Sequence, residues 1–469
     1  MTQHTALAAP PPPPDATLDP ELRRTAIAIV TGAVAVILDT TIVSVALHEL
    51  GSALDASVDT IQWVSTAYLL AMFVSIPVAG WAQSRLGGKR LWLLALTAFL
   101  VGSVLCACAW NVESLIAFRA VQGLGGGVML PLMTTIIMQA AHGRSLGRLM
   151  AAVSLPAALG PILGPVVGGL ILGSLPWEWL FLVNVPLCLT GLVMAVRMLP
   201  ADRPGAPVPL DVTGLLLVGP GVVGVIYGLS QVAGDGGFGS ADVLLPLLAG
   251  LAFLAAFTAW ALSRRERALI DLRLLKHRPL ATSTMLLFLT GVVLYGAMLL
   301  LPLYWQVMRG HDALDAGLLL IPQGVGALAS RSIAGRLTDS IGGRWVAVAG
   351  FAVLAVATVP FAFADATTTT WWLLLALLVR GLGLGAVVIP LMTLAYDGLA
   401  RAEMPDASIL IRVAQQLGGS FGVAVLAVVL AGSGGFEAAF WWSIGFTAVA
   451  VALAFLVPAK PVSAPAPTS

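Results

Sequence analysis

Apolar runs of about twenty residues, fourteen of them, follow one another from Thr25 to Val457, joined by short and often basic connections. No other feature constrains the fold as strongly. A helix rises about 1.5 Å per residue, so about 20 residues cross the roughly 30 Å hydrocarbon layer of a bilayer. Lipid offers the backbone no hydrogen-bond partners outside a helix or a closed barrel. The expected fold class is therefore an all-α polytopic membrane protein with fourteen transmembrane helices. Composition agrees: 59% of the residues are hydrophobic and 10% charged, against roughly 25% charged in soluble domains, which leaves no sizeable soluble domain.

The 24 lysines and arginines are spread along the chain, so a net charge of +1 gives no footprint for nucleic acid. Only Arg309 falls in an outer-side loop, and Arg119 and Arg380 fall inside spans. The others, Arg23, Arg24, Arg85, Lys89, Arg90, Arg144 and Arg148 among them, are assigned to the tails and alternate loops on the amino-terminal side. By the positive-inside rule both termini are cytoplasmic, as an even number of crossings requires.

Two internal echoes suggest duplication. GWAQSRLGGKR at 80–90 resembles GRLTDSIGGR at 335–344, and the GLG and PLMT within 123–134 recur within 381–393. Arg119 lies four residues before its glycine and Arg380 only one before, so the two arginines are not treated as equivalent. The expected organisation is a disordered cytoplasmic tail (1–24), an N-terminal six-helix bundle (25–200), an inserted helix pair with a basic linker (201–279), a C-terminal six-helix bundle (280–457) and a second tail (458–469). Parallel halves of this kind are a transporter architecture. The tail with Pro10 to Pro14 reads as polyproline-like and lacks the basic start and apolar core of a signal peptide. The linker at 263–279 reads either as an amphipathic helix on the inner leaflet or as a solvated connection. Cys106, Cys108 and Cys188 read as small buried hydrophobes, with no metal-site spacing.

Chemistry must reside in the rare polar residues within the spans. Asp39 lies about 15 residues, or roughly 22 Å, beyond Arg23 and Arg24, which places it within the membrane. Loss of water favours a neutral carboxyl there, able to hold a proton near neutral pH and to release it when a cation or water approaches. That suits a proton-coupling site; a protonated Asp hydrogen-bonded to a neighbouring helix for packing leaves the same sequence signature. Arg119 opens the fourth span at a similar depth and would favour the charged carboxylate, so that proton and arginine compete for Asp39. The alternative is an arginine that satisfies carbonyls between helices. Gln122, one turn on, fits either network.

The fifth span carries GPILGPVVGG, with Gly160, Gly164 and Gly168 on one face, Pro165 within the helix and Gly169 at its end. Small residues at every fourth position admit a close neighbour, and proline permits a bend, which fits a moving interface between halves. Gly80, Arg85, Gly87, Lys89 and Arg90 form a basic turn that is either a gating loop or a set of cytoplasmic anchors; Asp339 belongs to its second-half copy. Gln122, Trp63, Tyr68, Tyr295 and Gln306 are candidates for a substrate cleft, although interfacial belts and packing also favour Trp and Tyr.

With these residues in view, the chain resembles the fourteen-span drug:proton antiporter branch of the major facilitator superfamily along its whole length. The resemblance rests on LDTTIVSVAL at 38–47, GWAQSRLGGKR, RAVQGLGG at 119–126, GPILGPVVGG, WEWLFLVNVP at 177–186, DVTG at 211–214 and RVAQQLGGSFGVAV at 412–425. It implies two six-helix bundles plus an inserted pair, a proton-coupling role for Asp39 and Arg119, and export of hydrophobic or cationic small molecules, drugs and antibiotics among them, by alternating access. It implies a proton gradient as energy source with no cofactor or metal. Small molecules, protons and lipid are the implied partners, with no nucleic acid, and a monomer in the cell membrane is expected. This chain departs from the family pattern at Ser84, where the loop usually has Asp, and at Ser44, His48 and Glu178. No GxxxxGK[ST] phosphate loop provides for nucleotide hydrolysis. Rival readings are a proton-coupled importer of a small nutrient on the same fold, an intramembrane enzyme, for which the five histidines form no constellation, and a non-transporting sensor.

Overall fold

A computed structural model describes residues 20–56, 58–141, 164, 167–201, 210–233, 239–264, 268–311, 313–400, 402–431 and 435–458. Residues 1–19 and 459–469, Gly160 and Pro165 lie outside the described residues, and 20–24, expected in the disordered first tail, form the first turn of a helix instead. The described apolar runs are helices: α1 (Pro20–Ala53), α2 (Val58–Ser75), α3 (Val78–Leu86), α4 (Gly88–Ala107), α5 (Val112–Ala141) and α6 (Asn184–Met198) precede α7 (Val212–Ser230) and α8 (Ala241–Ser263). Then follow α9 (Arg278–Leu303), α10 (Ile321–Ile341), α11 (Gly343–Ala362), α12 (Thr370–Ala395), α13 (Met404–Ala431) and α14 (Gly435–Ala454). The described residues are helical or irregular, without strands.

Eleven helices among the described residues are long and apolar enough to cross a membrane, or twelve if α2 and α3 count as one bent span. This differs from the expected fourteen for two reasons. Most of the fifth expected span, 147–172, lies outside the described residues, and α10, which carries Arg331, Arg336 and Asp339, is not among the eleven. The α2–α3 break bends by 55° at Ile76 and Pro77, where proline supplies no N–H to the ladder.

Helix pairing repeats in the two halves of the sequence. Helix α5 packs on α2 and α4, and α12 packs on α10 and α11 in the same manner. A Cβ at Gly123 or Gly127 would overlap the carbonyl of Tyr68 or Met72; at Gly381 or Gly385 it would overlap that of Gln323 or Ala327. Both Gly127 and Gly385 also lie against a serine hydroxyl, Ser75 or Ser330. The turns match as well: Gly87 (φ 85°) and Gly342 (φ 92°) start α4 and α11 in the left-handed region that favours glycine. Beyond each turn a basic side chain caps a distant helix end. Lys89 Nζ donates to the carbonyls of Val196 (2.7 Å) and Leu199 (2.9 Å), while Arg344 donates to those of Val457 and Phe455 (both 2.6 Å).

Helices α7 and α8 pack on each other, and α7 also contacts α2 and α13, where Trp63 stacks on Tyr227 at 5.8 Å. Asp211 fixes the start of the pair, accepting from Gly214 N (2.9 Å), Trp260 Nε1 (3.1 Å) and Leu269 N (3.1 Å). Among its described residues the linker after α8 is neither a leaflet helix nor a solvated strand of chain. Its described part makes a 3-10 turn, Leu272–Lys276, and buries Leu269, Ile270 and Leu274 in the main core, because those three apolar side chains find protein rather than lipid. One further expectation changes. Cys106 and Cys188 are buried but Cys108 is exposed, at the end of α4. Arg331 and Arg412 lie inside α10 and α13, Arg412 about 12 Å along its helix from Met404.

Candidate functional site

Asp39 sits past the middle of α1, and Arg119 and Gln122 share one face of α5 at a spacing of three. The packing of α1 on α5 and α6 brings these side chains together with Asn184 and with Ser103 of α4, all at most 1% exposed. Arg119 Nη1 donates to Asp39 Oδ2 at 2.5 Å and to Gln122 Oε1 at 2.6 Å, and its Nε donates to Val64 O at 3.2 Å. Asp39 Oδ1 accepts from Gln122 Nε2 (2.9 Å) and Asn184 Nδ2 (2.8 Å). Ser103 Oγ accepts from Gln122 Nε2 at 2.8 Å and donates to Phe99 O at 3.0 Å. The guanidinium lies 3.9 Å above the Tyr68 ring.

A charged pair without water must be held this tightly. Desolvation costs several kcal/mol per ion, which attraction repays only with good geometry and further hydrogen bonds. Here the carboxylate has three donors, and the arginine has two side-chain acceptors, a carbonyl and an aromatic face. Asp39, Arg119 and Gln122 were singled out from sequence; Asn184 and Ser103 were not. Asn184 carried a signal, a lone amide in the apolar run WLFLVNVPLCL, but a single neutral polar residue in a span usually serves packing.

In the second half, Arg380 occupies the place of Gln122. Its Nε donates to Thr358 Oγ1 (3.2 Å), the counterpart of the Gln122–Ser103 bond, and its Nη1 donates to Gln323 Oε1 (2.7 Å). The imperfect register of the two arginines thus has a structural basis, since they fill different slots of one helix crossing.

A cavity of about 410 Å³ lies between the halves, lined from α1, α2, α5, α7, α9 and α13. Thr40 and Thr41, next to Asp39, face it, as do Tyr295, Arg412, Gln415, Gln416 and Ser420. Of the cleft candidates only Tyr295 lines this cavity. Tyr68 is buried beneath Arg119, Trp63 is 41% exposed, and Gln306 lies in a π-helical turn, Tyr304–Met308, after α9. Arg412, which opens the motif RVAQQLGGSFGVAV, has no role in the sequence reading and proves to be a lining residue.

Gly164 packs so closely on Thr41 that a Cβ would overlap its hydroxyl, and Gly168 faces Ile42; Gly169 has open space around it. Gly80 of α3 is buried against Pro405, Asp406 and Ile409 of α13. Arg85 lies 6.0 Å over Trp81, Arg90 is exposed at the start of α4, and Ser84 Oγ donates to its own helix at Trp81 O (2.8 Å). The backbone of Asp339 is in α10.

A family model described as the Major Facilitator Superfamily matches residues 29–423. The chain is 39% identical over 415 residues to the multidrug resistance protein B homolog of Mycobacterium tuberculosis (strain ATCC 25618 / H37Rv), covering 88% of this chain and 77% of the relative. It is 28% identical over 392 residues to the lincomycin resistance protein LmrB of Bacillus subtilis (strain 168), covering 83% and 82%. Among solved structures, the human organic anion transporter MFSD10 (TETRAN) superposes with a TM-score of 0.66 at 17% identity, covering 93% of this chain and 100% of the other. The proton:xylose symporter XylE does so with a TM-score of 0.65 at 15% identity, covering 93% and 96%. At these identities both share the fold alone.

Proposed function

We propose that this chain, which belongs to the Major Facilitator Superfamily, exports hydrophobic small molecules across the cell membrane in exchange for protons. Membership makes it a multi-pass membrane transporter of small molecules rather than an enzyme, and the multidrug and lincomycin resistance proteins among its relatives support drug efflux. The finer reading is a monomer of fourteen spans in the drug:proton antiporter branch, with both termini cytoplasmic. Two bundles, 25–200 and 280–457, rock about the inserted pair.

One observation carries the coupling: the buried Asp39–Arg119 pair sits on the same stretch of α1 as Thr40 and Thr41, which line the cavity. Protonating Asp39 replaces an acceptor of three charge-assisted bonds by a neutral acid and loosens its hold on Arg119. The α1–α5–α6 contact then has a second arrangement, and cargo in the cavity biases the choice between them through α1. An inside-negative potential contributes roughly 2.3 kcal/mol per proton per 100 mV, about fiftyfold in accumulation. The described inner-end contacts between halves, Gly80 on Pro405 and Ser408 Oγ donating to Pro131 O (2.8 Å), fit a state closed towards the cytoplasm.

The test measures dye and antibiotic efflux from cells, with and without a protonophore, for wild type and Asp39→Asn at equal membrane protein. Expected are active efflux by wild type, its collapse with the protonophore, and its loss in the variant. Efflux unchanged in both comparisons removes proton coupling and the role of Asp39.

A further inference from the structure

We propose that the cargo carries an acidic group on an apolar body, and that Arg412 binds this anion in the cavity between the halves. The inference rests on the transport reading and names its substrate class. Among the described residues no carboxylate lines the cavity, and Arg412 is its single charged group. Asp39 is on an adjoining stretch of α1, but both its oxygens are engaged by Arg119, Gln122 and Asn184. Asp406, the nearest acid along α13, lies about 9 Å below Arg412 and accepts from the backbone N–H of Asp271.

Arg412 itself is half-buried and makes one hydrogen bond among the described residues, a long one of 3.3 Å from Nη1 to Gln415 Oε1. A guanidinium has five donors in a planar fork that matches a carboxylate or sulfonate, so most of its capacity faces the cavity. Gln415, Gln416 and Ser420 follow at spacings of three, four and eight on the same helical face, and supply neutral donors beside it. The rest of the lining is chiefly apolar, with Leu69, Phe73, Ile226 and Met298 from three helices. An organic acid with an apolar body fits both parts.

Arg380 and Arg331 are also buried in the second half, with no carboxylate within ion-pair distance among the described residues, so that half carries further positive charge. A cationic cargo would leave water to meet the charge of Arg412; an anionic one neutralises it. This reverses the cationic half of the sequence-based expectation. It also makes the exchange doubly electrogenic, because an anion leaving and a proton entering each move one positive charge inward.

The test uses the purified full chain in lipid nanodiscs, with no pH gradient. It is titrated with anilinonaphthalene sulfonate and with phenylnaphthylamine, the same skeleton without the sulfonate, and empty discs are subtracted. Wild type is expected to bind the sulfonate at least about tenfold more tightly, as a charge-assisted pair allows. Arg412→Gln is expected to abolish that preference and Arg412→Lys to keep part of it. Equal or weaker binding of the sulfonate by wild type, or a preference that survives in Arg412→Gln, overturns the assignment. No proton crosses a membrane in this measurement, so the outcome is independent of whether Asp39 couples transport to protons.

Discussion

At the residue scale, the two members of the buried pair differ in what each can do when the other is removed. A carboxylate left without Arg119 takes up a proton and becomes a neutral acid that Gln122 and Asn184 still contact. An arginine left without Asp39 keeps its charge, because the guanidinium does not deprotonate in proteins. Asp39→Asn is therefore expected to destabilise the protein by about 3–5 kcal/mol, and Arg119→Gln by less. The double variant Asp39→Asn/Arg119→Gln recovers most of the loss. Thermal unfolding of the three purified proteins in one detergent checks the order; a double variant as unstable as the sum of the singles would mean that the two do not act as a pair. Asp39, Arg119 and Gln122 were legible in sequence because ionisable groups are expensive in lipid and draw attention singly. Asn184 and Ser103 were not, since a neutral polar side chain acquires its role only from the way α4 and α6 are set against α1, and Arg412 meets the cavity only through the packing of α13 on α7 and α9.

At the scale of elements, the fold depends on helix crossings where glycine lets one backbone touch another. Gly127 on α5 and Gly385 on α12 each seat the carbonyl of a neighbouring helix, so one methyl group at either position forces the helices apart. Gly445 on α14 has nothing within 4 Å of an added Cβ. Gly127→Ala and Gly385→Ala are thus expected to lose most monodisperse protein in size-exclusion chromatography, whereas Gly445→Ala keeps wild-type yield and gains helix propensity. A normal yield of Gly127→Ala would contradict the close crossing. The repeated GLG and PLMT signalled that these helices are copies, but not which helix each one meets. That pairing joins residues such as Tyr68 and Gly123 that lie far apart in sequence, and nothing in either segment encodes the other. The linker misled for a related reason: its alternating charges and leucines suit a leaflet surface, and only the packed halves supply the core that buries Leu269, Ile270 and Leu274.

For the whole molecule, alternating access requires that the contact closing one end of the cavity come apart in each cycle. The described contacts at that end pair α3 and α5 with α13, through Gly80 against Pro405 and Ile409 and through the Ser408–Pro131 bond. A Cβ at Gly80 would stand 3.5 Å from the Cβ of Pro405, at the lower edge of the 3.5–4.5 Å range that a disulfide spans. The variant Gly80→Cys/Pro405→Cys, with exposed Cys108 changed to serine, is therefore expected to crosslink on mild oxidation. Crosslinking holds the halves together at that end, so efflux should fall to background and return when a reducing agent opens the bond. The Cys108→Ser background and each single cysteine should keep efflux under oxidation, which separates a locked interface from oxidative damage. Full efflux from a quantitatively crosslinked protein would mean that this contact stays closed during transport, and that cargo and protons take a route that does not pass between α3 and α13.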